Sequence, residues 1–177
     1  MNRTTIAALV VAATALLAAC GQDAPAAPTP TASTTTAAPV AAKVSRPSLV
    51  VNEDGSAVVT AFVQNVQAEE TSIVGITVLS GEDVLPVLTT PMSMPLPPDT
   101  ELRVGYATDA GGFVVPTGVT AGGSYRLVLG FDNGTCRVVA SEAVERTDEH
   151  RAIYPRTKTF AGAVRSARQG PEGCTEG

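Results

Sequence analysis

The chain has no tryptophan and a single histidine, His150, and aromatic residues make up only 4% of its 177 residues. Charged residues are also sparse at 16%, with 12 bases against 17 acids for a net charge of −5. Each shortage excludes something. One imidazole rules out, within one chain, any chemistry that draws on two or more histidines. An acidic chain lacks the basic footprint of a nucleic-acid binder, so no nucleic acid is expected as a partner. Four Phe and three Tyr cannot fill a core, so Val, Leu and Ile must do so. Helical patterning is missing as well. No segment sustains an apolar period of about 3.6 residues, which argues against βαβ units.

What is present is 44% hydrophobic residues, distributed unevenly. After Asn2 and Arg3, the stretch from Ile6 to Ala19 carries no charge. As a helix it would reach ~21 Å at ~1.5 Å per residue, short of the ~30 Å hydrocarbon core of a bilayer. Residues 1–19 therefore look like an export signal. The run ends in Leu17-Ala18-Ala19-Cys20-Gly21. This resembles the lipobox of bacterial lipoproteins, which implies cleavage before Cys20 and acylation of its sulfur. The implied partner is the lipid bilayer, and the implied location is the extracytoplasmic side of the cell membrane. An ordinary signal peptide with an incidental cysteine is the alternative.

Residues 20–46 follow as a lipidated Cys20 and a linker. Ala, Thr and Pro supply 17 of the 25 residues from Gln22 to Arg46. Such a stretch buries too little apolar area to offset its ordering entropy. Its prolines favour an extended spacer at ~3.1 Å per residue.

Residues 47–144 are expected to form the folded domain, with eleven acids against Arg103, Arg126 and Arg137. Residues 145–177 form a tail of mixed charge, with six bases and five acids, and are expected either to lie on the acidic domain or to extend into solvent. Short apolar segments separated by turn residues mark the strands: Ser48–Val51, Ser56–Val66, Ser72–Ser80, Val84–Leu88, Glu101–Ala107, Phe113–Val115, Tyr125–Phe131 and Cys136–Glu142. Seven or eight such strands predict a single antiparallel β-sandwich. Asn133-Gly134 predicts a two-residue hairpin loop. That register pairs Phe131 with Cys136, Leu129 with Val138 and Leu127 with Ala140, all on the core face. Val128 and Val139 are then apolar exceptions on the solvent face.

Few residues are available for chemistry. A Ser or Cys nucleophile needs a nearby base, and His150 lies in the charged run Asp148-Glu149-His150-Arg151, where it is expected to face solvent. The adjacent acids Glu69-Glu70 and Glu82-Asp83 point apart on extended chain. No enzyme is expected. After lipidation of Cys20, Cys136 and Cys174 remain. Export and an even count favour a Cys136–Cys174 disulfide. A buried free thiol is the alternative, because the expected register turns Cys136 towards the core.

Phe62-Val-Gln-Asn65, Ser72-Ile-Val-Gly75-Ile-Thr77, Leu96-Pro-Pro-Asp-Thr, Gly111-Gly112-Phe and Ala121-Gly-Gly-Ser-Tyr-Arg-Leu-Val-Leu-Gly-Phe131 resemble the periplasmic copper chaperone family, PCuAC, as found in exported actinobacterial lipoproteins. Ten Arg against two Lys suit such a source. The resemblance covers roughly 48–144 and implies a cupredoxin-like or immunoglobulin-like sandwich. It also implies a copper(I) site built from a His, a Met and a later His-x-Met, and these ligands are not retained. Phe113-Val114-Val115 stands where His-x-Met is implied. Only Met92-x-Met94 offers paired thioethers, which suit Cu(I) as soft donors but serve equally as gap fillers. The expected function is thus a membrane-anchored, non-enzymatic binding module without a cofactor, acting on an envelope protein or small ligand. The alternative is a Cu(I)-binding protein that uses Met92 and Met94.

Overall fold

Val, Ile, Leu and Thr dominate the extended segments, and their branched side chains favour a pleated, buried surface. In a computed structural model that describes residues 42–89, 93–106, 112–158, 162–166 and 174–176, these segments form one curled mixed sheet. All of them lie in the compact unit Ala37–Gly177. The strands are β1 (Ala42–Val51), β2 (Ala57–Asn65), β3 (Thr71–Ser80), β4 (Asp83–Leu85), β5 (Leu88–Thr89) and β6 (Met94–Leu96). They continue with β7 (Glu101–Val104), β8 (Phe113–Val115), β9 (Ser124–Phe131), β10 (Cys136–Glu145), β11 (Val164–Arg165) and β12 (Thr175–Glu176). The main path runs β11-β5-β8-β2-β1-β10-β9-β3-β4, with β6 on β3, β7 on β2 and β12 on β10. The all-β, cupredoxin-like expectation is met. The sheet differs from the expected one in having twelve strands and two parallel pairings, β1 with β10 and β10 with β12. No helix among the described residues is long and apolar enough to cross a membrane.

The folded sheet extends past 47–144 on both sides. β1 begins at Ala42, inside the stretch expected to be linker. Pro47 cannot donate to a ladder, and the β1–β2 register shifts between Ser45 and Ser48 around it. Arg46 takes a positive φ of 49° at this bulge and lays its guanidinium over the Phe62 ring at 5.5 Å.

The hairpin register is corrected by one residue. Phe131 N–H donates to Thr135 O at 2.9 Å and Gly134 N–H to Phe131 O at 3.1 Å, which makes a three-residue loop. Asn133 does not adopt the positive φ of a two-residue turn. Its side chain instead accepts from the Thr135 N–H at 3.0 Å and hydroxyl at 2.6 Å, and Gly134 alone takes φ 78°. That is a turn followed by a bulge, the next commonest hairpin solution. Leu127 therefore opposes Val139, Val128 opposes Val138, and Gly130 opposes Cys136. Val139 joins the core, while Val138 and Cys136 turn to the outer face and Ala140 is exposed.

The inner face packs Leu49, Val59, Ile73, Ile76, Phe113 and Leu127 with their neighbours into the main core. Two smaller apolar clusters lie outside it. One joins Val50, Val58 and Val114 beneath Ile153. The other joins Leu79, Val128 and Val138 beneath Cys136 and Cys174. Both are covered from the tail. This is why β8 is buried at every position and β9 at nearly every one. The tail also closes the sheet's edges. β11 pairs with β5, and Ser166 both donates its N–H to Val87 O at 2.8 Å and accepts the Ile76 N–H on its hydroxyl at 3.1 Å. β12 pairs with Arg137 and Val138, the part of β10 that β1, pairing at Glu142 to Glu145, does not reach.

Candidate functional site

The concave surface lies at one end of the sheet, where β1 ends, β2 begins and β10 ends. Asn52 opens a tight turn: its N–H donates to Ser56 O at 2.7 Å, and Gly55 N–H returns to Asn52 O at 3.1 Å. Asp54 fixes the turn by accepting the Ser56 N–H at 3.0 Å and hydroxyl at 2.6 Å on one carboxylate oxygen. Its other oxygen takes the Lys158 N–H from the tail at 2.7 Å. The Ser56 hydroxyl is the main reason that the Asp54 carboxyl lies below its ordinary value.

Between this turn, the segment Val119–Ala121 and the exit of β10 lies a groove of about 480 Å³. Arg146 stands at its rim and also lines a second cavity of about 200 Å³ with Glu53, Asp148, His150, Arg151 and Arg156. Glu53 and Arg146 belong to both, so the two hollows adjoin.

Arg146 is held by neutral acceptors. Nε donates to Asn52 Oδ1 at 2.7 Å. Nη1 donates to His150 O at 2.9 Å and Ile153 O at 3.0 Å, and Nη2 to Pro155 O at 3.4 Å. These bonds wrap the segment 147–155 around one guanidinium and seat Ile153, 3% exposed, on Val50, Val58 and Val114. Burial lowers the Arg146 pKa from its usual value, and repulsion from Arg156 lowers it further. His150 is half-buried rather than solvent-facing. Its Nδ1 accepts the Thr147 N–H at 3.0 Å. It braces a turn rather than activating a nucleophile.

The residues singled out from the sequence fall elsewhere. Cys20 and Met92 lie outside the described residues. Met94 is fully buried in β6 opposite Ile73 and packs in the main core. Phe113, Val114 and Val115 are buried strand residues. Among the described residues no group of three or more His, Cys, Asp or Glu could hold a metal. Cys136 and Cys174 are bonded to each other, with Cα atoms 4.9 Å apart. The expected disulfide is present, and the corrected register removes the objection to it. Sequence reasoning missed Arg146. It is one of six bases in the tail, and only its proximity to Asn52, 94 positions away, distinguishes it.

No family model matches this sequence, and no curated protein matches it. Solved structures do. The chain is similar to the copper-bound PCuAC domain from PmoF2 (13% identity, 60% of this chain and 94% of that one, TM-score 0.46). It is similar to the apo PCuAC domain from PmoF1 (17% identity, 60% and 95%, TM-score 0.48). The apo PmoF2 PCuAC domain is matched at 16% identity over 61% of this chain and 92% of that one, with a TM-score of 0.43. These are likenesses of fold alone.

Proposed function

We propose that this chain is an exported lipoprotein, held on the extracytoplasmic side of the cell membrane by acylated Cys20, that presents one non-enzymatic β domain as a binding module. The Cys136–Cys174 disulfide carries the reading. Structural disulfides persist in oxidising compartments and are rare in the cytosol, which agrees with an export signal over 1–19. A spacer upstream of Ala42 lets the domain work away from the bilayer, and the groove beside Arg146 is the surface offered to a ligand. The test is fractionation of cells that express the chain with and without Cys20→Ala. The intact chain should pellet with membranes, shift in size when signal peptidase II is inhibited, and contain no free thiol at Cys136 or Cys174. A Cys20→Ala chain that stays on the membrane with unchanged processing would overturn the anchor.

Copper(I) binding through Met92 and Met94 is the rival reading. It rests on that thioether pair, and it requires β6 to expose a buried Met94. Anaerobic Cu(I) titration against a competing chelator separates the two. Tight binding lost in a Met92/Met94 double substitution would replace the module reading with a copper one.

A further inference from the structure

The cavity of about 200 Å³ beside Arg146 collects positive charge on a domain that is otherwise strongly acidic. Three guanidiniums line it, and their hydrogen bonds go to neutral acceptors. Arg146 bonds an amide and three carbonyls. Arg151 Nε donates to Asp148 O at 3.0 Å, and Arg156 Nη2 donates to Arg151 O at 3.1 Å. These bonds fix the directions of Arg151 and Arg156 while using one nitrogen of each. The Arg156 guanidinium also sits 5.3 Å over the Tyr154 ring, which limits its motion. Glu53 and Asp148 border the cavity, yet none of the three arginines forms an ion pair among the described residues.

Glu53 and Asp148 still leave the lining one positive charge in excess, and the three guanidiniums, none paired with either carboxylate, repel one another. Arg156 destabilises the charged form of the half-buried Arg146. A structure that keeps such charges together is electrostatically complementary to an anion. The planar donor fork of arginine matches tetrahedral and planar oxyanions, and its hydrogen bonds to phosphate are charge-assisted.

We propose that this cavity is a phosphate-type oxyanion site, in which Arg151 and Arg156 donate to the ligand and Arg146 supplies the charge behind them. The site would take inorganic phosphate or the phosphate of a headgroup or small ester. The neighbouring groove of about 480 Å³, with Val51, Val119 and Ala121 on its wall, would hold whatever the phosphate is attached to. This goes beyond the anchored-module reading and does not depend on the anchor, because fractionation and ligand titration are separate measurements.

The test uses the intact mature chain in detergent. Inorganic phosphate is titrated at constant ionic strength while the arginine Nε–H and backbone amide NMR signals are followed. Saturable, one-site shifts of Arg151 and Arg156 are expected. R151Q and R156Q should each weaken binding about tenfold, the worth of one charge-assisted hydrogen bond. Both side chains are exposed, so the variants should fold. K43Q removes a cation at the far end of β1 and should leave the affinity unchanged. Absence of saturable shifts, or equal weakening by K43Q, would overturn the proposal. A second arm places the chain in phosphatidylcholine nanodiscs with or without phosphatidylglycerol. Arginine shifts that appear in either nanodisc in the absence of free phosphate, larger with the anionic lipid, assign the site to a headgroup. Shifts that need added phosphate assign it to a free ligand.

Discussion

The two outer apolar clusters present the same physical problem and are covered in different ways. Val50, Val58 and Val114 lie under Ile153, whose segment is gathered by the hydrogen bonds of one arginine. Leu79, Val128 and Val138 lie under a disulfide, whose far cysteine arrives 38 positions after its partner. The first cover is local and polar: it is drawn from the residues directly after β10 and held by Arg146. The second is remote and covalent. The difference follows from reach. The segment 146–155 leaves β10 at the end of the sheet where its patch lies, so a guanidinium can bind its carbonyls. Cys174 ends a long return, and its short strand β12 makes only two pairings with β10. Two ladder positions cannot hold a chain end against its conformational entropy, and a covalent bond can.

Removing the covalent cover should have the largest effect. A Cys136→Ala/Cys174→Ala chain is expected to lose about 3–4 kcal/mol of unfolding free energy in urea, from the entropy of a loop of about 39 residues. Loss under about 1 kcal/mol would mean that β11 and Ser166 hold the tail unaided. Next comes the polar cover. Arg146→Gln leaves the carbonyls of His150, Ile153 and Pro155 short of donors, and a cost of about 2–3 kcal/mol is expected. Faster amide exchange should be confined to 147–155. Ile153→Ala should cost about 2 kcal/mol by the same urea measurement, as for other buried aliphatic truncations. The two patches share no residue, so Ile153→Ala combined with the cysteine double variant should be additive within about 0.5 kcal/mol. A larger coupling would show that the covers act as one. The smallest effect concerns Asp54, which ties the turn at Asn52 to Lys158. Its folded pKa is depressed, so its contribution is full above its ordinary value of 3.8 and is lost as pH falls through the lower folded value. Asp54 is exposed, so an acid titration of stability should separate Asp54→Asn from the parent by only a few tenths of a kcal/mol, about the worth of a surface interaction.

Much of the inner face was legible in the sequence. The strands Glu101–Val104, Phe113–Val115 and Ser124–Phe131 lie within or close to their expected spans, and the Asp132–Thr135 turn joins β9 to β10. The register was not legible, because it depends on whether Asn133 adopts positive φ or spends its side chain on Thr135. Both are ordinary behaviours of asparagine. That one-residue shift also accounts for the two apolar exceptions: Val139 belongs to the core, and Val128 belongs to the patch under the disulfide. The tail was the least legible part. Ile153 is a lone aliphatic in a charged run, and its burial depends on strands about a hundred positions earlier. The Arg146 site was hidden for the same reason. The pair Cys136 and Cys174 could be read, because only two thiols remain once Cys20 is set aside.

β1 has one further consequence, which concerns direction. It spans ten residues, about 30 Å of extended chain, from Ala42 to Val51. Ala42 pairs with Asn65 at one end of the sheet, and Val51 borders the groove at the other. The upstream chain therefore enters at the pole opposite the arginines. A label attached at Ala42 would therefore report on the end of the sheet farthest from Arg151 and Arg156.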